Sequence, residues 1–103
     1  MRQHDIVRNN DRGTQKLIPY FIILQADILQ PLATVIVAPL RPAPSPVEIG
    51  RLNPTLKING HKYYIEMQSM AAVPAKRMGT VELNANEIRD ECTAAIDLIF
   101  TGI

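Results

Sequence analysis

Asn59 and Gly60 sit between two runs of alternating polarity in the stretch TLKINGHKYYIEM, Thr55 to Met67. An Asn-Gly pair accepts the positive φ angles of a two-residue type I′ turn, whose twist suits antiparallel strands. The stretch predicts a β-hairpin, and the flanking sequence supplies strands for it to join. KLIPYFIILQ (Lys16 to Gln25) is rich in aromatic and β-branched residues, with Pro19 near its start, where a missing amide is tolerated. TVIVAPL (Thr34 to Leu40) is apolar without alternation, which predicts a strand buried on both faces. MAAVP (Met70 to Pro74) and GTVEL (Gly79 to Leu83) read as short strands. Between them, QADILQPLA (Gln25 to Ala33) is a connection that Pro31 keeps from regular pairing, and Ile28 and Leu29 are unusually apolar for a loop. RPAPSPVEIG (Arg41 to Gly50), with Pro42, Pro44 and Pro46, reads as an excursion from the sheet. Short strands separated by Gly and Pro signals predict an antiparallel sheet or small barrel. At 103 residues the length predicts a single domain over 1–103.

The last predicted element is a helix in NANEIRDECTAAIDLIF. Asn84 can cap it, with Glu87 at the capping-box spacing. Ile88, Cys92, Ala95, Ile96 and Ile99 share one stripe, and Asp90, Thr93, Asp97 and Thr101 lie roughly opposite. Leu98 and Phe100 flank the stripe on different sides, so the last turn is apolar around most of its circumference. One sheet covers one side only. The second apolar surface is either another copy of the chain or loops folded over the turn.

The composition narrows the function. A hydrophobic share of 47% supports a packed core, and a net charge of +1 argues against a broad nucleic-acid-binding face. Glu82, Glu87, Asp90, Glu91 and Asp97 oppose Arg89 alone near the end of the chain, an acidic segment that fits a basic partner. Cys92 is the single cysteine, which fits a reducing compartment; the polar start MRQHDIVRNNDRG is no signal peptide, and Leu17 to Leu24 is too short to span a bilayer. The expectation is a cytoplasmic protein without membrane contact.

No P-loop, dinucleotide fingerprint, CxxC or HExxH is present. His4 and His61 read as solvated side chains and Cys92 as a core thiol. Glu66, Arg77 and Asp27 have no spacing that asks for acid–base chemistry. No catalytic residue, metal or cofactor is expected.

The order of motifs resembles the CcdB toxins of toxin–antitoxin modules, over nearly the full length. Gln25-Ala26-Asp27-Ile28-Leu29 matches a Gln-x-Asp-Ile-hydrophobic segment of that family, and VIVAPL (Val35 to Leu40) a strand ending in Pro-Leu. LNPTLKING (Leu52 to Gly60) matches a Leu-x-Pro…Ile-x-Gly pattern, and MAAVP is close to Met-Ala-Ser-Val-Pro. Ala95 to Ile103 follow Ala-Ile-x-Leu-hydrophobic-Phe-x-Gly-Ile. The resemblance implies a mainly β, SH3-like small barrel with a C-terminal helix, and a homodimer. It implies binding to the DNA gyrase A subunit, trapping the enzyme on cleaved DNA. A CcdA-like antitoxin would neutralise the toxin and make the operator DNA contacts, the toxin alone binding none.

By this resemblance Thr101, Gly102, Ile103 and Asp97, with Ala26, Ile28 and Leu29, occupy gyrase-binding positions. Ile99, Phe100 and Ile103 occupy dimer positions. Thr101 departs from the pattern, which has Trp stacked on a gyrase arginine. Truncating such an anchor costs about 2–4 kcal/mol, which is roughly 30- to 1000-fold in affinity. A homologue with an altered target, or a little-toxic antitoxin-binding module, therefore stands beside the gyrase poison. The Kid/MazF ribonuclease toxins share the fold, but an RNA cleaver needs a basic groove with an acid–base pair; Arg77 is the residue to test for it.

Overall fold

The computed structural model describes residues 1–29, 32–44 and 50–102. Among them run β1 (Asp5–Asn9), β2 (Tyr20–Ile23), β3 (Thr34–Pro42), β4 (Thr55–Ile58), β5 (His61–Ile65), β6 (Ala71–Pro74), β7 (Met78–Asn84) and α1 (Arg89–Thr101). The Asn-Gly turn forms as its chemistry dictates: Asn59 has φ 51°, Gly60 has φ 82°, and Ile58 pairs with His61. All pairings are antiparallel, in the order β4-β5-β3-β2-β1-β7. β6 adds to β3.

The long strand β3 organises the sheet. One edge pairs Val37 to Leu40 with β2. The other edge is shared: Thr34 to Val37 pair with β6 and Leu40 to Pro42 with β5. The chain between β5 and β6 therefore only steps along that edge, through a 3-10 turn at Met67–Ser69. The second half of β3, Ala38 to Leu40, is buried as its apolar run predicts, but in the first half Thr34 and Ile36 are exposed. β-branched side chains fit a half-exposed face as well as a buried one, so the expectation of two buried faces fails for that half. The excursion expected over Arg41 to Gly50 starts later: Arg41 and Pro42 continue β3 and pair with Tyr64 and Tyr63, and residues 45–49 lie outside the described residues.

β1 has no counterpart among the expected strands. Its apolar content is Ile6 and Val7 alone, and adjacent strand residues point to opposite faces. Each is fully buried because the sheet has a core on both sides. On one side Ile6, Ile22, Leu24, Ala38, Leu40 and Ile65 pack with Cys92 and Ala95 of α1. On the other, Val7, Ile23, Val35 and Val37 pack with Phe21, Val73, Ala75 and Met78. His4, expected in solvent, is buried. Its backbone takes φ 68°; its N–H donates to the Ile23 carbonyl at 2.7 Å and its carbonyl accepts from the Ala85 N–H at 2.8 Å. Those two bonds tie the residue to the end of β2 and to the chain just after β7. His61 is exposed, as expected.

The sheet curls into a half-barrel. Among the described residues no backbone ladder joins its terminal strands β4 and β7, but a side-chain clasp links the two ends. Asn59 Nδ2, in the turn after β4, donates to Glu82 Oε1 on β7 at 3.0 Å, and Arg8 Nε on β1 donates to Glu82 Oε2 at 3.1 Å. The Asn59 bond first, then that of Arg8, holds the Glu82 carboxyl below its ordinary pKa of 4.5. The ionised form is the one the fold favours, so its contribution is present above that value and is lost as pH falls below it. Glu82→Gln is expected to lower the thermal midpoint at neutral pH. The gap from the parent protein should close in acid, as measured by circular dichroism melts across the acid range.

α1 begins later than the capping box predicts. Asn84 Oδ1 accepts from the Asn86 N–H at 3.0 Å, but its amide donates to the Gln3 carbonyl and to Asp5 Oδ1, tying β7 to the N-terminal segment. A 3-10 turn, Asn86–Ile88, intervenes, and no side chain caps the α-helix itself. Asp90 and Glu91 in its first turn complement the helix dipole.

Candidate functional site

Cys92 and Ala95 are small, and both are completely buried against the sheet, so the first half of α1 is held close to it. Ile88 and Ile96 pack partly on the same core. Beyond Ile96 the cover thins. Leu98 is half-buried, Ile99 is 36% exposed and Phe100 70% exposed. A ring left mostly in water forfeits the larger part of the about 1.5–3 kcal/mol that full burial supplies. Asp97 and Thr101 are exposed. The Thr101 hydroxyl donates back to the Asp97 carbonyl at 2.6 Å, which satisfies it within the helix. Gly102 stops the helix in the left-handed conformation, φ 73°, and its N–H donates to the Leu98 carbonyl at 3.1 Å. Ile103 lies outside the described residues.

A second apolar surface lies in the connection before β3. Ala26 is half-buried, and Asp27–Leu29 form a 3-10 turn. The turn is fixed by its polar atoms: Asp27 Oδ1 accepts from the Gln3 N–H at 2.7 Å, and the Leu29 N–H donates to the Ala26 carbonyl at 3.0 Å. Ile28 is left 89% exposed and Leu29 51%. Leu32 and Ile36 are exposed as well. Ile36 is hydrogen-bonded to the same segment, its carbonyl accepting from the Leu24 N–H and its N–H donating to Gln25 Oε1. Sequence reasoning missed both as surface residues; the signal for Leu32 was its place in the connection, but nothing separated Ile36 from its buried neighbours. Among the described residues, hydrogen bonds tie this turn to the N-terminus and β3, whereas the helix end stands on its own element.

Two candidate surfaces are therefore exposed and apolar, and among the described residues neither carries a reactive group. Cys92 has its thiol pushed up to about 11 by burial first and by Glu91 second. Iodoacetamide is expected to leave it unmodified in the native protein at neutral pH and to alkylate it once the chain is denatured. Rapid native labelling, read by mass spectrometry, would contradict its place in the core. Among the described residues no three His, Cys, Asp or Glu side chains are grouped to hold a metal, and no helix is long and apolar enough to cross a membrane.

The family model described as CcdB protein matches residues 3–102. The chain belongs to the CcdB family. The match runs through both apolar surfaces and takes in Gly102. CcdB membership makes this a toxin-type component of a toxin–antitoxin module. No individual curated protein matches the chain. The mainly β fold with its antiparallel sheet and C-terminal helix is the one expected for a CcdB protein, with the sheet open as a half-barrel.

Proposed function

We propose that this CcdB-family protein is a homodimeric, non-enzymatic toxin of the cytoplasm. It binds the DNA gyrase A subunit, traps gyrase on cleaved DNA, and is neutralised by a CcdA-like antitoxin. One observation carries the reading: α1 is anchored by Cys92 and Ala95 and then runs out with Ile99 and Phe100 uncovered. In the dimer, Ile99, Phe100 and Ile103 meet their counterparts. Asp97, Thr101, Gly102 and Ile103 then form the gyrase-facing tip, beside Ala26, Ile28 and Leu29. An apolar patch rimmed by polar residues is what a protein interface requires.

The back-bonded Thr101 favours a second reading, a homologue with an altered target or little toxicity, because the tip offers no aromatic anchor. Titration calorimetry with the purified gyrase A subunit separates the two. On the first reading the protein binds, and Ile28→Asp with Leu29→Asp abolishes binding without changing the melt, since both side chains are exposed. Absence of binding by the unmodified protein favours the second reading and a search for another target.

A further inference from the structure

The cleft on the opposite face of the sheet from α1 is not used by either apolar surface. It encloses about 570 Å³, within the range of small-ligand sites. Phe21, Val73 and Met78, which belong to the core on that side, form its floor. Lys76 and Arg77, both exposed, stand on its wall, and among the described residues neither is paired with a carboxylate.

The facing wall is the loop after β1, and its own hydrogen bonds hold it in shape. Asn9 Nδ2 donates to Thr14 Oγ1 and to the Ile18 carbonyl, and Asn9 Oδ1 accepts from the Asp11 N–H. The Asp11 carboxylate is turned into the same loop, accepting from the Gly13 N–H and the Thr14 hydroxyl. The one acid of the cleft is thereby occupied within its own loop. A second cavity of about 400 Å³ adjoins the first, sharing Asn9 and Asn10 and adding Lys16 and Tyr20.

We infer that this cleft binds a nucleotide, with a base lying on the Phe21, Val73 and Met78 floor and a phosphate held by Lys76 and Arg77. An apolar floor bordered by two unpaired cations fits a flat ring that carries an anion. Guanidinium and ammonium groups make charge-assisted hydrogen bonds to phosphate oxygens, and bases stack on aromatic faces whatever their sequence. The whole-chain charge of +1 conceals this local surplus of cations, which is why it argued against nucleic acid. The nucleotide is either free or the end of a single strand, with the second cavity taking the next unit.

The test is a nitrogen-15 NMR titration of the full chain with the four 5′-mononucleotides, a trinucleotide, inorganic phosphate and an acidic peptide. The expected result is saturable shifts of the Thr14, Phe21, Val73 and Met78 amides with a mononucleotide at sub-millimolar concentration. The double substitution Lys76→Gln and Arg77→Gln should weaken this at least about tenfold, leaving the α1 amides unshifted. A trinucleotide that binds more tightly and also shifts Gln15 and Lys16 identifies a strand end; equal affinity identifies a free nucleotide. The inference is overturned if no nucleotide saturates, if phosphate alone gives the same shifts at the same affinity (an adventitious ion only), if only the peptide binds, or if the double variant binds unchanged.

Discussion

Thr101→Trp is expected to tighten binding to the gyrase A subunit roughly 30- to 1000-fold, from the about 2–4 kcal/mol that an aromatic anchor over a cation supplies. The position is ready to receive it. Residue 101 is exposed in the last turn of α1, and Gly102 already ends the helix in a left-handed cap. A Trp there displaces no packing; it removes one hydroxyl, whose bond is to the helix's own carbonyl of Asp97. The stability of the variant should therefore stay within about 0.5 kcal/mol of the parent. Calorimetric titration against gyrase A checks the affinity, and a thermal melt checks the fold. An unchanged affinity, with the fold intact, would mean that the partner surface or its geometry differs from the family's.

Phe100→Asp is expected to convert the proposed dimer into a monomer in sedimentation velocity. The ring is 70% exposed on the isolated chain, so the substitution leaves the intrachain core nearly untouched. In the proposed dimer the same position is covered, and a carboxylate buried there without a partner costs about 3–5 kcal/mol. That shifts the dimer dissociation constant by roughly two to four orders of magnitude. The pair of readouts separates an interface from simple packing: lost association with an unchanged far-UV spectrum marks an interface. A dimer of unchanged affinity would show that Phe100 is not in its interface.

Local rules made parts of this fold legible. The Asn59-Gly60 turn needs only two residues to declare itself, and the stripe through Cys92 and Ala95 needs only helical spacing. Both are present. β1 escaped notice because its two apolar residues serve two different cores, a fact of the curled sheet and not of the segment DIVRN. The helix start was misplaced because Asn84 has one side chain and several claims on it; its amide holds Gln3 and Asp5, residues remote in sequence. His4 is buried for the same kind of reason, through backbone bonds to Ile23 and Ala85. The candidate surfaces were more legible. Apolar residues in a loop, at Ile28 and Leu29, and an over-apolar last turn at Ile99 and Phe100 announce themselves by having no local reason to be there. Leu32 and Ile36 extend the loop surface, and the exposure of Ile36 depends on which face of β3 the curl leaves open. The Lys76 and Arg77 cleft was invisible because it assembles the loop after β1 with the turn between β6 and β7.

Poisoning of gyrase by the uncovered end of α1, as proposed, requires that cleaved DNA be trapped. The most direct measurement incubates the purified protein with gyrase from the source organism, supercoiled DNA and ATP, then denatures the protein and resolves the DNA on a gel. Linear DNA is expected to grow with protein concentration and to disappear with Ile28→Asp and Leu29→Asp. Intact circular DNA at every concentration, from a gyrase that a known poison still traps, would contradict it.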